Sequence, residues 1–276
     1  MWARKGRLKL GISTFRRTSL REYLAIEEDD GNLWLFIHIP KTAGSSLGAE
    51  IARELRPYRN IHVENDDDGD THSVKLQKAV DRFIADAQTI QFRSASGHLT
   101  MQHAIQIRAA FPRTKFVTML RHPVARVISD FRYQRTPMHP EHKEFIERYA
   151  TLTDYVHSEE SQDKMFRFLV SDPEMSFAEA LNEIDKMFSF IGLVEMYPMS
   201  FNVLFRLFKL DLMPTEHRRK TETNEHNVVE NSSEIIDEIR QSNPRDVLLF
   251  DTFRKLLWTR REEWLALRHA AVGSPR

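Results

Sequence analysis

The chain of 276 residues has no cysteine, no long apolar run and no net charge. The missing cysteine excludes a disulfide scaffold, thiolate zinc sites and cysteine nucleophiles, and it fits a reducing compartment. No apolar stretch approaches the roughly 18 to 20 residues of a membrane-spanning helix, so we expect a soluble, cytoplasmic protein. The 40 Lys and Arg residues are balanced by 40 Asp and Glu, which argues against a strongly basic protein that binds nucleic acid.

Basic residues are concentrated near the N-terminus. Within Met1–Leu20 they are Arg4, Lys5, Arg7, Lys9, Arg16 and Arg17. We predict a frayed or peripheral basic arm over residues 1–30, with contact to an acidic substrate or to a membrane surface as the alternative. Residues 31–270 contain no repeat or linker and are predicted to form a single domain. Nothing in the sequence indicates an oligomeric state.

Short apolar segments alternate with amphipathic ones along this domain. The apolar runs Leu33–Ile39, Lys115–Leu120 and Phe188–Val194 are typical of buried strands, and Phe92–Leu99 is a weaker strand. Helical periods follow each of them, and two helices are predicted over 232–241 and 244–269. The pattern therefore predicts an α/β fold, a three-layer parallel sheet flanked by helices, with a helical C-terminal region.

A loop of small residues, Pro40–Ser46 (PKTAGSS), leaves the first strand and enters a helix. Backbone N–H groups and a helix N-terminus converge in such a loop and form an anion cradle. The phosphate-loop signature of nucleoside triphosphatases is absent, because Lys41 precedes the only glycine of the loop. A tight turn with a solvated lysine is the alternative. The candidate anion-binding residues are Lys41, Thr42, Ala43, Gly44, Ser45 and Ser46.

A second anion site is predicted at the strand Lys115–Leu120. Arg121 follows this strand directly, and Ser129 lies eight residues later on the next helix. An arginine at the carboxyl end of a buried strand can bind a phosphate in a bidentate manner, and Ser129 can reach the same anion. The alternatives are an ordinary ion-pairing arginine and a serine on a helix surface. Ligands of such sheets bind beyond the carboxyl ends of the strands, where Lys41, His98 and Arg121 all lie.

These motifs resemble those of one enzyme family. The segment FIHIPKTAGSSL resembles the 5′-phosphosulfate loop of sulfotransferases that use 3′-phosphoadenosine 5′-phosphosulfate (PAPS), and FVTMLRHPVARVISDF resembles their 3′-phosphate motif. The greatest likeness is to the heparan sulfate 2-O-sulfotransferase type. Gly97-His98 is similar to the pair that carries its catalytic base, and Arg219-Lys220-Thr221 is similar to a late segment that closes over the nucleotide. The likeness runs from about Trp34 to about Leu257.

The resemblance implies a P-loop-like sulfotransferase domain with PAPS as donor, PAP as product and no metal. It implies nucleotide contacts from the Lys41–Ser46 loop, Arg121, Ser129, Arg219 and Thr221, and a carbohydrate or glycoconjugate acceptor. Golgi members of the family carry an N-terminal membrane anchor and usually cysteines. This chain shows neither, so we expect a bacterial-type soluble enzyme, with peripheral contact to a membrane through its basic N-terminus as the alternative.

Sulfuryl transfer to a hydroxyl needs a base on the acceptor side and a cation near the departing phosphate. His98 is the candidate base, because an imidazole accepts a proton near neutral pH, and Lys41 is the candidate cation. A structural role for His98, with His122 or Glu195 as the base, is the alternative. The pairs His98 and His103 and His139 and His142 lack the nearby acidic ligands of a convincing metal site.

Two other functions are compatible with parts of the sequence. A phosphotransferase of the nucleoside-kinase type would share the parallel sheet and the anion loop, but it should carry the full phosphate-loop signature. A non-catalytic polyanion-binding module would need only the basic arm and the cluster at 217–220, and it would not depend on His98.

Overall fold

The computed structural model describes residues 9–27, 31–64, 69–215 and 232–272. Its strands are β1 (Trp34–Ile37), β2 (Tyr58–Ile61), β3 (Ser94–Gly97), β4 (Lys115–Leu120) and β5 (Phe188–Leu193). All neighbouring strands are parallel, and they form one sheet in the order β2-β3-β1-β4-β5. The predicted α/β fold is confirmed, a parallel sheet flanked by helices with a helical C-terminal region.

Helices connect the strands and cover the sheet. They are α1 (Ile12–Arg17), α2 (Leu20–Leu24), α3 (Gly44–Glu54), α4 (His72–Asp86), α5 (Met101–Ala110), α6 (Pro123–Gln134), α7 (His142–Arg148), α8 (Leu152–Val156), α9 (Lys164–Leu169), α10 (Phe177–Met187), α11 (Tyr197–Leu207), α12 (Ser233–Ser242), α13 (Pro244–Thr259) and α14 (Arg261–Val272). Strands β1 and β5 are buried along their whole length. Continuous burial explains why both strands are largely apolar on both faces, and the polar Ser189 of β5 is buried as well.

The register of the sheet aligns the carboxyl ends of β1 and β3, and β4 continues beyond them to Leu120. Ile37 of β1 pairs with Gly97 of β3 and with Thr118 of β4. The residues that follow the first pair, His38 and His98, are therefore neighbours beyond the sheet edge. A side chain at Gly97 would place its Cβ 2.4 Å from the carbonyl oxygen of Ile61 in β2, so only glycine lets the two strands approach here.

The described part of the predicted basic arm belongs to the packed core, which corrects the expectation of a frayed or peripheral segment. Phe15 of α1 and Tyr23 of α2 are buried, and their rings meet edge to face at 4.9 Å. Phe15 also contacts Phe190 of β5. A capping box between Ser19 and Glu22 begins α2. Apolar residues at helical spacing thus override the basic composition of 9–27, while residues 1–8 and 28–30 lie outside the described ranges.

Two further details differ from expectation. The helix predicted over 244–269 is divided at Arg260 into α13 and α14, and the Arg260 guanidinium bonds the carbonyl oxygens of Phe15 and Arg16. Strand β2 was not predicted, because its sequence Tyr58–Ile61 is mostly polar and lies at the sheet edge. Among the helices of the described ranges, none combines the length and the hydropathy that are required to cross a membrane.

Candidate active site

A cavity of ≈ 530 Å³ opens beyond the carboxyl ends of β1, β3 and β4. Most of the predicted site residues border this one cavity, although they come from three separate stretches of the sequence. The lining residues are His38, Pro40, Lys41, Ala43, Gly44, Ser45, Ser46, His98, Arg121, Ser129, Asp130, Tyr133, Gln134, Met138, His139, Lys164 and Val194. Thr42 is the exception among the predicted loop residues, because its side chain is fully buried and its hydroxyl donates to the carbonyl oxygen of Ile39.

The strand–helix loop, which we define as Pro40–Ser46, has an uncommon backbone. Lys41 (φ 69°) and Ala43 (φ 63°) both adopt the left-handed conformation without being glycine. Such residues are few in proteins and occur often at functional sites. Helix α3 begins at Gly44, within this loop, so the N–H groups of its first turn lie at the cavity. The loop therefore supplies the anion cradle that the sequence predicts.

Gly44 is required by the packing of the loop against His38. A Cβ atom at position 44 would lie 1.7 Å from Cδ2 of the His38 ring. The His38 ring thus occupies the space beside the first turn of α3. Any side chain at position 44 would displace either the loop or this histidine.

Arg121 joins the second predicted anion site to the loop. Its Nη1 donates a hydrogen bond of 3.1 Å to the carbonyl oxygen of Lys41. Burial lowers the pKa of Arg121, which nonetheless stays far above neutrality, so the guanidinium is charged. Ser129 lines the same cavity from α6. The two motifs that are 80 residues apart in sequence therefore meet through a direct contact.

His98 is oriented by the backbone of His38. Its Nδ1 lies 2.8 Å from the carbonyl oxygen of His38, which can only accept a hydrogen bond. The hydrogen bond assigns the proton of the neutral ring to Nδ1 and leaves the lone pair on Nε2. The two imidazole rings stack at 4.3 Å with an interplanar angle of 29°. His38 thus supports the candidate base both through its carbonyl group and through its ring.

The environment of His98 keeps its ring neutral. Burial lowers the pKa of His98, and the hydrogen bond to His38 opposes this effect only in part. By surface area the ring is exposed, because it faces the open cavity, while the cavity walls around it reduce its hydration. An imidazole with a lowered pKa is unprotonated at neutral pH. It is therefore ready to accept a proton there.

Tyr133 holds the ammonium group of Lys41. Nζ of Lys41 lies 3.9 Å from the centroid of the Tyr133 ring, which is the geometry of a cation–π contact. Tyr133 follows Ser129 by one helical turn on α6, so both residues are on the cavity side of this helix. The contact keeps the lysine side chain over the cavity.

A buried charge network, formed by Arg126, Asp130, Tyr155 and Lys164, borders the cavity through Asp130 and Lys164. Oδ2 of Asp130 accepts hydrogen bonds from Arg126 (3.1 Å), Tyr155 (2.9 Å) and Lys164 (2.7 Å). Burial by itself raises the pKa of Asp130, but the charges of Lys164 and Arg126 and the hydrogen bonds outweigh it, so the pKa lies below its usual value. Asp130 is therefore an ionised carboxylate inside the protein.

The alternative bases do not line the cavity. The backbone N–H of His122 donates to Oε1 of Glu195 at 2.8 Å, and the His122 ring packs edge-on against Phe250. Two of the histidines considered for a metal site have local roles, because His103 bonds Thr100 at the start of α5 and His142 bonds the carbonyl oxygen of His139. In the described ranges, no group of three His, Asp or Glu residues is arranged to hold a metal ion.

Several lining residues are not predicted by the sequence motifs, namely His38, Asp130, Tyr133, His139 and Lys164. For His38 a signal was available, since it lies two residues before Pro40 at the end of an apolar run. Arg219 and Thr221, which were predicted to contact the nucleotide, lie outside the described residues.

The sequence profile of the sulfotransferase family matches residues 26–253, which is most of the chain. The chain therefore belongs to the sulfotransferase family, and the prediction of a sulfotransferase enzyme is confirmed. Among solved structures it is similar to mouse sulfotransferase SULT7A1 complexed with PAP, with 16% sequence identity, a TM-score of 0.35, and coverage of 83% of this chain and 71% of that chain. A search of curated proteins finds no sequence relative.

Proposed function

We propose that the protein transfers a sulfuryl group from PAPS to a hydroxyl group of a carbohydrate or glycoconjugate acceptor. The observation that carries this proposal is the convergence of the strand–helix loop, Arg121 with Ser129, and His98 on one cavity. The donor class follows from the two anion sites, and the acceptor class follows from the resemblance of Gly97-His98 to the base motif of the heparan sulfate 2-O-sulfotransferase type.

The residues present fit such a donor. Among the described residues, the lining contains the permanent cations Lys41, Arg121 and Lys164 against the single carboxylate Asp130, so the cavity favours an anionic ligand. Its volume of ≈ 530 Å³ lies in the usual range for small-molecule sites. In the proposal, the loop binds the 5′-phosphosulfate and Arg121 with Ser129 binds the 3′-phosphate. Arg219 and Thr221 are added on the resemblance alone.

The chemistry assigned to each residue follows from its position. Nε2 of His98 accepts the proton of the acceptor hydroxyl while that oxygen forms its bond to sulfur. The bond between sulfur and the bridging phosphate oxygen breaks in line, and the negative charge develops on that oxygen. The ammonium of Lys41 and the N–H groups at the start of α3 neutralise it. When bound, the donor supplies an activated sulfuryl group, and no step needs a metal ion.

The test is a sulfate-transfer assay with PAPS and a panel of glycan acceptors, combined with binding of PAP and, in parallel, of ATP with Mg²⁺. We expect transfer to at least one glycan and preference for PAP. The variant His98→Ala should reduce the transfer rate by about 100-fold to 10,000-fold and change PAP affinity less than about threefold. His103→Ala is the matched control, because this histidine lies outside the cavity lining.

The pH profile sharpens the test of the base. Because burial lowers the pKa of His98, we expect the rate to be at its plateau near neutral pH and to fall only below the ordinary histidine value of about 6.5. If His98→Ala keeps near-normal turnover and the same acidic limb, His98 is not the base. Binding of ATP with Mg²⁺ in preference to PAP would instead support a phosphotransferase.

A further inference from the structure

Lys164 is a cation of the cavity to which the proposed reaction gives no role. It begins α9, its side chain is 17% exposed, and it borders the same cavity as Lys41 and Arg121. A largely buried ammonium is costly unless it is paired or bound to a ligand. The ion pair with Asp130 offsets this cost, and the position at the cavity allows the ammonium a further contact with a ligand.

The hydrogen bonds of Lys164 leave capacity for a ligand. The ammonium donates to Oδ2 of Asp130 at 2.7 Å, and the Tyr155 hydroxyl lies further away at 3.4 Å. An ammonium has three N–H donors, and the cavity borders this one. Asp130 and Tyr155 fix the direction of the side chain before any ligand arrives, which reduces the conformational entropy lost on binding.

Two contacts connect Lys164 to the residues of the second anion site. Its partner Asp130 is the neighbour of Ser129 on α6. On the other side, the sulfur of Met165, the residue after Lys164, accepts the backbone N–H of Arg121 at 3.4 Å. The backbone of α9 is held there by Asp246, whose carboxylate accepts the N–H groups of Met165 and Phe166. Lys164 is thus placed near the second anion site through Met165, which contacts Arg121, and through Asp130, which follows Ser129.

We propose that Lys164 binds the 3′-phosphate of the donor together with Arg121 and Ser129, and so selects nucleotides that carry this group. The inference rests on the proposed function. Arginine supplies a planar fork and lysine a point charge, so the two cations can contact different oxygens of one phosphate. Lys164 could equally bind an anionic group of the acceptor, because such a group presents the same oxyanion chemistry as the 3′-phosphate.

Calorimetry with PAP and with adenosine 5′-monophosphate, which lacks the 3′-phosphate, distinguishes binding of the 3′-phosphate from binding of an acceptor anion. For Lys164→Gln we expect PAP affinity to fall by about 10-fold to 100-fold, the scale of a lost charge-assisted hydrogen bond. Affinity for adenosine 5′-monophosphate should change by less than about twofold. Arg121→Ala should reproduce the loss for PAP. The exposed Lys255 of α13 provides the matched control Lys255→Gln, which should leave both affinities unchanged.

A second measurement on the unaltered protein does not depend on the folding of a variant. Acetylation of lysines, followed by mass spectrometry, should show Lys164 protected at saturating PAP and not at saturating adenosine 5′-monophosphate, with Lys255 labelled equally in both. Equal labelling of Lys164 overturns the inference. So does an equal loss of both nucleotides in Lys164→Gln, or unchanged PAP affinity with a raised KM for the acceptor. A wild-type protein that does not bind PAP overturns the proposed function and this inference together.

Discussion

Two walls of the cavity are built in opposite ways. The strand–helix loop is one continuous segment of seven residues that offers backbone N–H groups and the start of α3. The buried charge network takes its four side chains from α6, α8 and α9, and they meet around one carboxylate. The loop uses backbone N–H groups, which nearly every residue type provides. The network uses charges, each of which needs a particular partner.

The comparison shows how a site can separate ligand binding from folding. A side chain removed from the loop leaves the backbone cradle in place, so the loss should fall on the ligand. A side chain removed from the network leaves a buried charge without compensation, so the loss should fall on the fold, and for Lys164, which also borders the cavity, on the ligand as well. Three predictions test this distinction, and they are given from the largest expected effect to the smallest.

Asp130→Asn should destabilise the protein most. The substitution keeps the shape of the side chain but leaves the charges of Arg126 and Lys164 without their shared carboxylate, and breaking such a buried pair costs about 3 to 5 kcal/mol. Urea denaturation at neutral pH measures this change in the free energy of unfolding. Because the pKa of Asp130 is lowered in the folded protein, its stabilisation is present above about pH 4 and is lost as the pH falls further.

The matched control for this prediction is Asp237→Asn, which removes an exposed carboxylate paired with Arg240 on α12. Exposed pairs of this kind contribute little, so its unfolding curve should match that of the wild type. Similar curves for all three proteins would mean that the network does not stabilise the fold, and the contrast between the two walls would fail.

Lys41→Ala should lower the rate of sulfuryl transfer by about 100-fold to 1,000-fold, as expected for loss of one donor to a developing negative charge. PAP affinity should also decrease, since the ammonium contacts the ligand before reaction. Unfolding by urea should be unchanged, which distinguishes the loop from the network. Lys143→Ala on α7 is an exposed-lysine control for the rate. Normal rate and normal PAP affinity in Lys41→Ala would remove this lysine from the site.

Tyr133→Leu should have the smallest effect. It removes the aromatic face beneath the Lys41 ammonium, and a cation–π contact contributes about 0.5 to 2 kcal/mol, or about a 2-fold to 30-fold lower rate. Tyr133→Phe keeps the ring and should retain most of the activity. Steady-state kinetics with PAPS compares the two variants. If Phe and Leu behave alike, the ring does not position the lysine.

The loop was predictable from sequence because its signal is local. Small residues and a lysine follow a buried strand and precede a helix within Pro40–Ser46, and each neighbour constrains the next. His38 was missed because the apolar run was assigned to a strand as far as Ile39, whereas β1 ends at Ile37 and leaves His38 beyond the sheet edge. This difference of two residues in the end of the strand places His38 in the cavity lining and not in the core.

The network was not predictable, because no local pattern connects its members. Lys164 lies 34 residues after Asp130, and helices α7 and α8 intervene. From sequence alone, an aspartate on a helix or a lysine at the start of a helix is predicted to be a solvated surface residue. Only the packing of α6 against α8, with α9 beside them, brings these charges together. Helices α1 and α2 were not predicted either, because the basic residues of this segment indicated a surface arm. Its apolar residues are in fact buried.

The hydrogen bond from Arg121 to the Lys41 carbonyl oxygen has a thermodynamic consequence. A guanidinium carries five N–H donors, so Arg121 can hold the loop and an anion at the same time. An anion that immobilises Arg121 therefore also restricts the loop, and the conformational entropy of ordering is lost once for both ends of the ligand. By linkage, either half of a ligand that spans the two sites should raise the affinity for the other half, and two separate fragments should bind with positive cooperativity.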